Sequence, residues 1–170
     1  MSPGGKRRLT WTLVVVTAVV LAMSIPGSLR DAWERGGIYL FSREFLPDLA
    51  RRLTGPGRFR FVMQPAIATA LGIAAGIADH RAGRPPYLRG ILLGSAGRGE
   101  LLRSGMRDIV NLVVVGVLLD AVCQWVILGV SHPGAALIVG PVLVTGPYAL
   151  ARALANRIRG ARVHGEREEP

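Results

Sequence analysis

Apolar positions along this chain gather into long uninterrupted runs rather than the short periodic stripes of a water-soluble fold. No charged side chain occurs from Leu9 to Leu29, from Phe61 to Ala78, or from Ala121 to Ala151. The stretch from Ile109 to Val130 holds one acid, Asp120, near its midpoint. A helix rises about 1.5 Å per residue, so roughly 20 apolar residues cross the hydrocarbon layer of a bilayer. Backbone polar groups find no partners in lipid, and the helix satisfies them within one segment. The pattern therefore predicts an all-α polytopic membrane protein. Its four transmembrane helices fall at about 9–27, 61–79, 108–130 and 134–154, with short interfacial helices between them.

Between the first two spans, Ser28 followed by Asp31 resembles a capping box, and Gly36-Gly37 supplies a stop, which predicts a short helix over Leu29 to Arg35. Beyond it Ile38, Phe41, Phe45, Leu49 and Leu53 recur at helical spacing against Ser42, Arg43, Asp48, Arg51 and Arg52. Such a segment either lies in the outer interface, anchored by Trp33 and Tyr39, or packs on the ends of its own spans. Between the second and third spans, Pro85-Pro86 favours an extended path, and Gly94 to Gly99 reads as a flexible connector leading into a helix from Glu100. That glycine-rich stretch lacks the lysine and Ser/Thr of a phosphate-binding loop. The run from 157 to 170, of mixed charge, is expected to be a disordered tail on a single integral membrane domain, 1–170.

Charge changes this picture in one respect, orientation. Half of the 170 residues are hydrophobic, yet the chain carries 21 Lys and Arg and a net charge of +10. Those cations flank the spans, where they meet anionic lipid headgroups, instead of forming the basic face of a nucleic-acid binder. Placing both termini in the cytoplasm puts 14 of the 21 cations inside and 7 outside. Four of the outside residues, Arg51, Arg52, Arg58 and Arg60, crowd just before the second span, against the trend. Lys6-Arg7-Arg8 ahead of the first apolar run reads as a signal anchor; cleavage after Ala22-Met23-Ser24 is less favoured because the run continues to Leu29. A single lysine among abundant Arg, Ala, Gly and Val is typical of GC-rich bacterial genomes, and the address that results is the bacterial inner membrane.

The candidate chemistry is sparse. Asp120 lies about halfway through a span, where a charged side chain costs on the order of 3 kcal/mol and is turned inward, protonated or paired. Gln124 and Cys123 share its helix face; Thr145 and Gln64 lie at similar depth on other spans, and Arg152 lies about 10 Å deeper. These residues define a candidate intramembrane polar site of Asp120, Gln124, Gln64 and Thr145. The favoured reading is a neutral, hydrogen-bonded acid that holds helices together, and the alternative is a proton or ion site. Ala68, Gly72 and Gly76 form a small-residue helix-packing face. Gly140-Pro141 and Gly146-Pro147 predict kinks at Pro141 and Pro147. Cys123 is the lone cysteine, His80 and His164 lack metal partners, and no HExxH or GxSxG motif occurs. No catalytic, cofactor-binding or metal-binding residue is therefore expected.

From Arg58 to Ile158, with Met63-Gln64-Pro65, Gly76-Ile77-Ala78-Asp79, Arg84-Pro85-Pro86-Tyr87 and Asp120, the chain is similar to uncharacterised small polytopic inner-membrane proteins of bacteria. The resemblance implies location and helical architecture, and carries no assigned activity. The expected role is a non-enzymatic accessory or structural membrane component acting through helix contacts. The alternative is a small proton- or ion-coupled transporter or channel subunit using Asp120. The expected partners are anionic bilayer lipids and either further copies of the chain or a larger membrane complex.

Overall fold

The computed structural model describes residues 3–94 and 97–165. Among them every regular element is helical: α1 (Pro3–Arg35), a single 3-10 turn (Tyr39–Phe41), α2 (Phe45–Thr54), α3 (Arg60–Arg81), α4 (Tyr87–Leu92), α5 (Arg98–Leu128) and α6 (Pro133–Gly165). Four of these, α1, α3, α5 and α6, contain segments long and apolar enough to cross a membrane, namely Arg7–Arg35, Arg60–Arg81, Arg98–Leu128 and Pro133–Arg159. Their outward side chains, such as Val19, Val62, Val126 and Leu150, are large, apolar and exposed, as on a surface covered by lipid.

Several local expectations give way to longer helices. Leu29 to Arg35 is not a separate helix: α1 passes through Pro26 without a break, and Ser28 caps nothing. The helix ends where glycine permits. Gly36 turns to φ +70°, and the amides of Gly36 and Gly37 donate to the carbonyls of Trp33 and Ala32, closing the last turn. At the other end of the chain, α6 stays helical to Gly165, replacing the disordered tail expected from residue 157; residues 166–170 lie outside the described residues. The same helix carries Pro141 and Pro147 without interruption. Gly140 has a packing reason, since a Cβ there would stand 2.7 Å from the Val117 amide nitrogen.

In the amphipathic segment after α1, Phe45 and Leu49 of the expected apolar stripe are half-buried and Arg43 and Arg51 of the polar side are exposed, with one departure at Arg52. Phe41, Leu46 and Leu53 point outward, whereas Arg52, on the expected polar side, is buried. Trp33 is exposed as an anchor would be, but Tyr39 is buried within the protein.

The chain's contacts fall into two compact units. The first comprises the described residues up to Gln64 together with Asn111–Leu143; the second comprises Pro65–Val110 together with the described residues from Val144 onward. In the first, Val117 and Ala121 of α5 and Ala136 of α6 pack with Val20 and Leu21 of α1. In the second, the small-residue face of α3 lies against α6. A Cβ at Gly72 would stand 2.4 Å from the Tyr148 carbonyl oxygen, and one at Gly76 would stand 2.3 Å from that of Arg152, so only glycine admits this approach. Ala68 on the same face is fully buried.

Candidate functional site

The first unit is organised around Asp120. Helix α2 ends in Gly55-Pro56-Gly57, and Gly57 adopts φ +82° with no room for a Cβ, which would stand 2.5 Å from Cys123 Sγ. This tight turn brings Arg52, near the end of α2, and Arg60, at the start of α3, onto one carboxylate. Arg52 Nη1 donates to both Asp120 oxygens at 3.2 and 3.1 Å, Arg60 Nη2 donates to Oδ1, and Gln124 Nε2 donates to Oδ2 at 2.7 Å. Gln124 is held in turn, its Oε1 accepting from the His132 amide at 2.9 Å. Asp120, Arg52, Arg60 and Gln124 are all essentially inaccessible.

Beside this centre, the His132 ring stacks on Tyr39 with centroids 3.8 Å apart, and Tyr39 donates its hydroxyl proton to Asp48 at 3.1 Å. Burial pushes the His132 pKa below the ordinary imidazole value, overcoming the opposing pull of Asp31, so the ring is neutral near pH 7. Ser28 Oγ and Asp31 Oδ2 lie 3.4 and 3.7 Å from its two nitrogens. The row of Ser28, His132 and Asp31 has the residue types of a hydrolytic triad without its geometry. The histidine–acid separation exceeds a hydrogen bond, Asp31 is already paired with Arg35 at 2.8 Å, and Ser28 lies within α1, whose amides are committed to the helix.

The second unit has its own centre. Arg152 grips Asp79 with a two-pronged contact, Nε to Oδ2 at 2.6 Å and Nη2 to Oδ1 at 3.0 Å. Nη1 donates to the Tyr148 hydroxyl at 2.8 Å, and Tyr148 donates to Asp108 at 2.8 Å. Nη2 also reaches Ser104 Oγ at 3.0 Å, and the guanidinium carbon sits 4.3 Å from the centre of the Tyr87 ring. Every nitrogen of this guanidinium has an acceptor, and its charge is matched by Asp79, as in a structural clamp.

Of the residues singled out from sequence, Asp120 and Gln124 are in direct contact. Gln64 is buried one turn after Arg60 on α3, with neither amide atom bonded to a protein group. Thr145 belongs to the second unit, and Arg152 is paired with Asp79. The neutral, hydrogen-bonded acid is replaced by a carboxylate between two guanidinium groups, because α2 folds two arginines inward. Arg52, Arg60 and the Asp79–Arg152 pair were missed. The signal for the first two was their placement: basic residues crowding the outer end of a span, where orientation rules disfavour them. No group of three or more His, Cys, Asp or Glu able to hold a metal occurs among the described residues. The large open groove beside Ile73 and Leu154 in the second unit, about 950 Å³, is lined almost wholly by apolar side chains and lacks the convergent polar groups of a substrate pocket. No family model, curated protein or solved structure matches the chain.

Proposed function

We propose that the chain is a multi-pass component of a bacterial inner membrane, with both termini cytoplasmic, that acts without catalysis as an accessory or structural partner through helix contacts. The observation that carries this reading is the enclosure of Asp120. A carboxylate that relays protons or conducts cations faces a hydrated path. Asp120 is fully buried and shared by Arg52, Arg60 and Gln124. The proposed orientation draws support from the same arginines: with Arg52 and Arg60 withdrawn into the protein, five of the seven outer cations are left to face headgroups, against 13 of the 14 inner ones once buried Arg152 is likewise set aside. The decisive measurement is flux. Purified protein in vesicles bearing a pH gradient should pass no more protons or alkali cations than empty vesicles, while the tagged protein solubilised in mild detergent should co-purify with a stoichiometric partner or a second copy. Flux that disappears in Asp120→Asn would put the transporter reading in its place.

A further inference from the structure

The two buried centres differ in what they leave undone. Around Arg152 two arginines, Arg152 and Arg84, face two acids, Asp79 and Asp108, and each Arg152 nitrogen has an acceptor, whereas around Asp120 two arginines share one acid, an excess of one positive charge. The hydrogen bonding is lopsided in the same direction. Arg52 Nε and Nη2, Arg60 Nε and Nη1, and Gln64 Nε2 are buried donors that no described protein group accepts from, and the single free acceptor among these three side chains is Gln64 Oε1. Asp48, one turn before Arg52, does not fill the gap, since its oxygens accept from Tyr39 and Arg51. Five donors against one acceptor call for a ligand that only accepts, and an uncompensated buried guanidinium calls for one that carries negative charge. Water would meet part of the first need and none of the second.

We infer that Arg52, Arg60 and Gln64 form a buried binding site for one small inorganic monovalent anion of the halide class. The charge excess fixes the valence. The size follows from burial: Arg52, Arg60 and Gln64 are at most 4% exposed, so a lipid headgroup or organic phosphate does not reach their donors. Arg60 and Gln64 stand one helical turn apart on the same face of α3, and Arg60 and Arg52 meet on the same carboxylate, across the one turn that joins α2 to α3.

The test is thermal unfolding of the full-length protein in a non-ionic detergent, with chloride titrated against gluconate at constant ionic strength so that screening cancels. Chloride and bromide should raise the midpoint saturably by about 2–4 °C, with gluconate and inorganic phosphate inert. Arg60→Gln, which leaves Arg52 and Asp120 balanced, should abolish the chloride response. Gln64→Leu should fold and move the titration to roughly tenfold higher chloride, one hydrogen bond's worth. A wild-type midpoint that is the same in chloride and gluconate, a response to phosphate in place of halide, or a full chloride response in Arg60→Gln would overturn the inference. Where Arg60→Gln does not fold, an unchanged chloride titration in Gln64→Leu overturns it equally.

Discussion

Asp120 and Arg60 are the two partners of one contact, yet their substitutions should differ in cost, because charge balance decides the outcome in a buried site. Asp120→Asn leaves two buried guanidinium groups without a counter-charge and should destabilise the protein by on the order of 3 kcal/mol or more. Arg60→Gln leaves one arginine on one carboxylate and should cost distinctly less. Unfolding midpoints in one detergent rank the two, and equal losses would remove charge balance as the organising feature. His132 provides a second test. Its pKa is depressed in the folded protein, so from about pH 6.5 downward the unfolded chain takes up a proton that the folded chain resists. Stability is therefore full above pH 6.5 and is lost as pH falls toward the depressed folded value. The midpoint of wild type should drop between pH 7 and 5 more steeply than that of His132→Gln, and parallel curves would show that folding leaves the His132 pKa unchanged. At this scale the sequence was legible in part. Asp120 and Gln124 stand out because they are polar groups inside an apolar run, while Arg52 and Arg60 do not, because arginine near a span end ordinarily meets headgroups.

Among the elements, the close-packed face of α3 is visible in its spacing and the buried Arg52 of α2 is not, for one physical reason. Lipid is as apolar as leucine, so in a membrane the hydrophobic face of a helix does not say which side meets protein. On α3 the informative residues were small ones. Gly72 and Gly76 bring α3 against the α6 backbone, and a methyl at Gly76 would meet the Arg152 carbonyl oxygen at 2.3 Å. Gly76→Ala should thus cost about 1–3 kcal/mol. Gly146→Ala, with nothing within 4 Å of the added methyl, should be neutral or slightly stabilising. Ile73, on the exposed side of α3, should tolerate leucine silently. Detergent stability of the three variants checks the ranking, and a Gly76→Ala protein as stable as Gly146→Ala would mean the helices are not held at this separation. On α2 the same logic applies: Leu46 and Leu53 are turned out along with Arg51, while Arg52 is turned in, so hydrophobicity does not mark the side that meets protein.

For the whole molecule, length and hydropathy placed the four long helices, whereas the pairing of Arg52 and Arg60 with Asp120, 60 or more positions away, depends on how the elements fold together and leaves no periodic trace. Orientation rests on the cation count, and it yields the most direct test of the proposed topology. Reporters joined at residues 43, 95, 129 and 165 should read outside, inside, outside and inside. Gly129 is chosen over His132 because it is exposed in the turn, while His132 is buried against Tyr39. The fate of α1 belongs to the same experiment. Thr10 donates to Asn111, and Val20 and Leu21 pack on the Val117–Ala121–Ala136 core, all upstream of the candidate cleavage point at residue 24. Removal of that segment would strip the first unit of this packing, so an amino-terminal tag should remain on the mature protein, at full mass, in purified membranes. A tag lost at residue 24 would reduce the protein to three spans, and an inside signal at residue 43 would reverse the orientation on which the outer placement of the Asp120 centre depends.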